Sequence, residues 1–93
     1  MARAWTPSCR PRLRRGIALA PADEGRWQAR WDFDEITFLE GDACRSVLPW
    51  LAVVLDGRSI AELEAIARER SSLDALHEVL DCLDQLCFLT VGD

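Results

Sequence analysis

Between positions 26 and 33 the chain reads Arg-Trp-Gln-Ala-Arg-Trp-Asp-Phe, so Trp27, Ala29, Trp31 and Phe33 alternate with Arg26, Gln28, Arg30 and Asp32. Successive side chains of a strand point to opposite faces, so this run predicts a strand with one aromatic face and one charged face. A helix would scatter the same residues around its axis. An aromatic strand face has to be covered, and the rest of the sequence reads as the means of covering it.

The neighbouring segments supply partner strands. Upstream, Leu13, Ile17 and Leu19 recur at even spacing in "LRRGIALA", predicting a strand interrupted by Gly16, and "PADEG" after it has turn chemistry. Downstream, Asp32 to Asp34 make a tight turn, and "EITFL", residues 35–39, predicts a third strand with Ile36 and Phe38 on one face and Thr37 on the other. The result is a three-stranded antiparallel meander, marginal on its own. The first dozen residues, "MARAWTPSCRPR", show no period and read as a loose lead-in, which places the folded domain at residues 13–93.

Helices follow. Asp42 is a suitable N-cap, and Ala43, Val47, Leu48, Leu51 and Leu55 mark a helical stripe ending at Asp56-Gly57, where the glycine can take a left-handed position. Pro49 either kinks this helix or sits in the first turn of one starting near Ser46. Ser59-Ile60-Ala61-Glu62 is a capping box, opening a second helix that buries Ile60, Leu63, Ile66 and Ala67. Ser71 or Ser72 caps a third, where Leu73, Leu76, Leu80, Leu83 and Cys87 recur at spacings of three and four, widened by Val79 and Leu86. The closing "CFLTVGD" ends that helix and packs Phe88 and Leu89 back on the core. The fold class expected is α+β, a three-stranded antiparallel sheet followed by three helices.

Three short helices in a row usually suggest a helix-turn-helix, whose last helix enters a groove of DNA. Here that helix carries Asp74, Glu78, Asp81 and Asp84 with no Lys or Arg, and offers only Gln85 to a base edge. Residues 1–32 hold seven arginines against three acids, whereas residues 33–93 hold four against thirteen. The helical half therefore repels phosphate. Nucleic acid is not the expected partner.

Catalytic chemistry is sparse. His77, the only histidine, sits on the polar side of the third helix, where a pairing with Asp81 at i, i+4 would be an ordinary helix contact. There is no nucleophile elbow and no phosphate-binding glycine loop. Cys9, Cys44, Cys82 and Cys87 form no CxxC pair and no zinc-ligand cluster, so neither a metal nor a cofactor is expected. No apolar run reaches the roughly 18 residues of a membrane span. The expectation is a cytoplasmic, non-enzymatic binding domain that engages no membrane.

The order of elements, with "LEGDACRSVLPWLAVVLDGRSIAELEAIA" at the centre and "LDALHEVLDCLDQLCFL" at the end, resembles the RiPP recognition element. This is the PqqD-like winged helix-turn-helix domain that binds leader peptides of ribosomally made, post-translationally modified peptides. The resemblance covers roughly residues 13–90, and its most telling part is Val54-Leu55-Asp56-Gly57 followed by the capped "SIAELEAIA". The chain is similar in particular to the version that accompanies azoline-forming cyclodehydratases, alone or as the leading domain of a larger partner.

The resemblance implies that a precursor leader peptide adds a strand to the third strand and lies between it and the third helix. Carried onto this chain, the edge is Glu35, Ile36, Thr37, Phe38 and Leu39, and the helix wall is Leu76, His77, Leu80, Leu83 and Asp84. The apolar stripe or Arg26 and Arg30 would meet the leader, and a modifying enzyme such as a cyclodehydratase would be served. The alternatives are a winged-helix DNA-binding regulator, and a dimerising adaptor that docks its tryptophan face on an enzyme.

Overall fold

The alternating run forms the central strand of a sheet. In a computed structural model that describes residues 4–31 and 35–92, β3 (Trp27–Trp31) pairs antiparallel with β2 (Ala18–Pro21) and with β4 (Glu35–Leu39). Leu39 and Ala29 are buried on the helix-facing side, with Leu19, Trp27 and Trp31 half-buried beside them. The opposite face carries Ala18, Arg30 and Ile36 in one cross-strand row and Ala20, Gln28 and Phe38 in the next. The predicted turn at Asp32–Asp34, and Phe33 with it, lie outside the described residues.

The expected first strand is two strands. β1 (Arg10–Leu13) ends where Gly16 takes a φ of +90° and the Ile17 N–H donates to the Arg14 carbonyl at 3.1 Å, and β2 begins only after that turn. β1 instead pairs antiparallel with β5 (Leu89–Gly92), so the described residues hold a two-stranded and a three-stranded sheet. Even spacing across a turn mimics a continuous strand, which is why Leu13 and Leu19 read as one element.

The lead-in is also tied down. Its Pro7 and Cys9 carbonyls accept the N–H groups of Ala61 and Ile60 at 3.2 and 2.8 Å, and the Trp5 indole donates to the Asp81 carboxylate at 2.7 Å. Main-chain acceptors carry no residue signature, so a segment that caps another element leaves no period in the sequence.

Three helices follow β4, and the first of them packs on the three-stranded sheet. α1 (Asp42–Val54) is continuous through Pro49, whose ring is exposed, so the Arg45 carbonyl deprived of its N–H partner sits on the side open to water. Gly41, at φ +114°, takes the N-cap position expected for Asp42, and Asp42 in the first turn pairs with Arg45. A carboxylate there suits the positive end of the helix. Past the helix end, Gly57 has the left-handed φ of +110°, and a Cβ on it would run into the Arg12 guanidinium.

α2 (Ile60–Arg70) opens on the complete capping box of Ser59 and Glu62. α3 (Leu73–Gln85) is capped by Ser72, whose Oγ accepts the Ala75 N–H at 3.1 Å. Ser71 has a different use: it accepts the Trp50 indole N–H at 3.0 Å and donates to the Ser46 carbonyl at 2.9 Å, locking the start of α3 to α1. The core between these helices is Val47, Leu48, Leu51, Ile60, Leu63, Leu76, Val79, Leu80 and Leu83, each at most 1% exposed.

α3 ends in a Schellman turn. The Phe88 N–H donates to the Leu83 carbonyl at 2.9 Å and the Cys87 N–H to the Asp84 carbonyl at 3.0 Å, with Cys87 itself at φ +63°. The turn sends Phe88 back beneath the sheet, where its ring lies 6.2 Å from that of Trp31.

Candidate functional site

β4 is the terminal strand of the order β2-β3-β4, so one of its edges pairs with no strand among the described residues. Unpaired strand edges recruit further strands, and natural proteins usually block them with charge or proline. β4 is flanked by Glu35 and Glu40 but carries Ile36 and Phe38, 42% and 48% exposed, on its outer face. The Arg26 guanidinium lies 4.2 Å above the Phe38 ring and 3.7 Å from Glu40, holding the ring from the residue just before β3. Arg30 stands exposed opposite Ile36. On the helix side of the strand, Thr37 is half-buried and Leu39 buried.

The expected edge residues are thus together on one strand; the expected helix wall is not on the surface. Leu76, Leu80 and Leu83 are fully buried, packed in the core and closed to any ligand. His77 projects toward α2, where its Nε2 lies 2.8 Å from Glu64, and it does not take Asp81, whose carboxylate is held by Trp5. Asp84 is half-buried further along α3. Glu64 is 13 positions from His77 in sequence, so a pairing chosen by i, i+4 spacing could not have found it.

At 100° per residue, Ala75, Glu78, Cys82 and Leu86 form a different flank of α3. That flank faces α1 and the sheet: Ala75 and Glu78 border a cleft with Asp42, Ala43 and Ser46, and Leu86 shares a cavity with Trp31. Burial pushes the Cys44 thiol up from its ordinary value, with Cys82 and Glu78 nearby adding to the effect. Cys82 is raised in the same way, first by burial and then by Glu78. Both cysteines are therefore protonated thiols at neutral pH, poor nucleophiles placed between α1 and α3. The signal for this flank was present in the sequence as Leu86, 40% exposed, at the margin of the apolar stripe.

Among the described residues no group of His, Cys, Asp and Glu is arranged to hold a metal ion, and no helix is long and apolar enough to cross a membrane. Comparison of the chain with protein-family models, with curated proteins and with solved structures finds no match.

Proposed function

We propose that this chain is a peptide-binding module of the RiPP-recognition type, a winged helix-turn-helix domain that captures the leader of a ribosomally made precursor and presents the remainder to a modifying enzyme such as a cyclodehydratase. The observation that carries the reading is the open edge of β4 with Ile36 and Phe38 exposed beside it. Main-chain hydrogen bonds along such an edge supply affinity, and side chains on alternating faces supply choice. The outer face takes apolar leader residues on Ile36 and Phe38, with Arg30 available to an acidic one. On the inner face of β4, Thr37 is half-buried and Leu39 buried, and Leu76, Leu80 and Leu83 of α3 are closed to a ligand by burial in the core. The acids of α3 are compatible with this function because no phosphate has to be held.

The test is a titration of the purified chain with leader peptides encoded near its gene, followed by fluorescence polarisation, with duplex DNA as the competing ligand. Saturable leader binding that survives moderate salt supports the reading. Phe38→Asp is expected to weaken it about tenfold or more while the fold persists, because Phe38 is half exposed and makes little of the core. DNA binding that collapses as salt rises, with no leader binding, would replace this reading by that of a DNA-binding regulator.

A further inference from the structure

A cavity at the C-terminal end of α3 stands apart from the strand edge. It encloses about 410 Å³ between the β1–β2 turn, the end of β3 and the Schellman turn, and is lined by Arg14, Arg15, Ile17, Trp31, Leu86 and Phe88 among others. That volume is in the range of sites for small ligands, roughly 300–1,000 Å³. Its apolar part is built from Ile17, Leu86 and the tilted rings of Trp31 and Phe88.

Its charge is unusual for this protein. The chain carries a net charge of −5, yet among the described residues no Asp or Glu lines this cavity and two adjacent arginines do. Arg14 and Arg15 are exposed, and neither forms an ion pair among the described residues. A third polar group is also unused: Nε1 of Trp31 is buried and has no hydrogen-bond acceptor among the described residues. A buried donor without a partner is costly, and this one belongs to a ring that lines the cavity.

We propose that this cavity binds a carboxylate carried on an apolar group about the size of one aliphatic side chain. The guanidinium fork matches a carboxylate in geometry and charge, and the apolar body rests on Ile17, Leu86 and the two rings. The same chemistry comes from two sources, a free acid or the C-terminal residue of a peptide. The proposal does not depend on leader capture, since it uses none of the outer-face residues of β4.

The experiment follows the indole N–H resonance of Trp31 in the 15N-labelled full chain, assigned with Trp31→Phe. The probes are N-acetyl-leucine, N-acetyl-leucinamide and a short peptide ending in leucine with a free carboxylate. Both carboxylates are expected to shift the resonance saturably, and the amide to bind at least about tenfold more weakly, as loss of a charge-assisted hydrogen bond requires. Arg14→Gln, Arg15→Gln and Leu86→Glu, all at exposed positions, are each expected to weaken the acid, the last by placing a carboxylate of its own in the cavity. Equal affinity for the acid and the peptide assigns the site to a free acid, and a tighter peptide assigns it to a chain end; either supports the proposal. Absence of a shift with both carboxylates, equal binding of acid and amide, or no effect of the two arginine changes would overturn it. Phe38→Asp serves as the control that separates this site from leader binding, and it leaves the Trp31 shift intact.

Discussion

Replacing Ser59 with alanine tests how α2 is fastened to the rest of the fold. The Ser59 Oγ accepts the Glu62 N–H at 3.3 Å, while the Glu62 carboxylate accepts the Ser59 N–H at 3.2 Å and its hydroxyl at 3.1 Å. The two preceding donors of the helix, Ile60 and Ala61, go to the Cys9 and Pro7 carbonyls. Every N–H of the first turn is thus satisfied, and Ser59→Ala orphans that of Glu62 and removes the hydroxyl that the Glu62 carboxylate holds. Loss of such a cap costs about 1 kcal/mol. In a domain of this size that lowers Tm by roughly 4–8 °C. Thermal melts followed by circular dichroism measure it. A fall of less than about 1 °C would mean that the Glu62 N–H finds another acceptor and that the box contributes nothing.

The same box makes stability respond to acid. The Ser59 backbone N–H, and then its hydroxyl, hold the Glu62 carboxyl below the usual glutamate range, with Arg10 and Arg58 adding to the effect. A carboxyl whose folded pKa lies below its unfolded value stabilises the fold above the unfolded value, about 4.3, and this contribution is lost as pH falls through the folded one. Glu62→Gln keeps a side chain able to close the box but does not titrate. The wild-type chain should therefore lose stability more steeply than Glu62→Gln on acidification below about pH 5. Parallel acid limbs would refute the assignment.

Three other changes probe separate parts of the fold. Cys87→Gly relieves a left-handed conformation that costs an L-residue about 1 kcal/mol, and should raise the urea midpoint without altering the slope. Leu80→Ala removes a fully buried side chain and should cost about 2–5 kcal/mol, so weakened peptide binding by this variant would follow its urea denaturation curve, unlike that of Phe38→Asp. Exposed Cys87 should be the first thiol to react with a disulfide reagent at neutral pH, with Cys44 and Cys82 following only at high pH or in denaturant, because burial raises both.

Much of the architecture was legible because it rests on local rules. The alternation at 27–31, the capping box at Ser59, the serine cap of α3 and the glycine after α1 each report a backbone requirement that few residue types satisfy. The β1–β5 ladder was not legible, since Arg10–Leu13 holds a proline and two arginines and pairs with a segment at the far end of the chain, from Leu13↔Leu89, 76 positions apart, to Arg10↔Gly92, 82 apart. Nothing in "RPRL" or "LTVG" announces a partner; the pairing exists because the Schellman turn at Cys87 reverses the chain and delivers it there.

The candidate site divides along the same line. A strand edge is a property of order in a sheet, and a meander read from three consecutive segments already places its last strand at the edge, so residues 35–39 were legible as an edge strand. The leucines expected on the helix wall are core residues because an amphipathic stripe identifies the side of α3 that meets the core. Which neighbouring side is open depends on distant groups: Glu64 takes His77 and Trp5 takes Asp81, occupying one flank. The other flank keeps Glu78 exposed and Cys82 half-buried, facing α1. The acids of α3 that argued against DNA thus have two physical uses, Asp81 fastening the helix to Trp5 of the N-terminal segment on one flank and Glu78 bordering an open cleft with α1 on the other, while α2 is joined through its own Glu64 to His77.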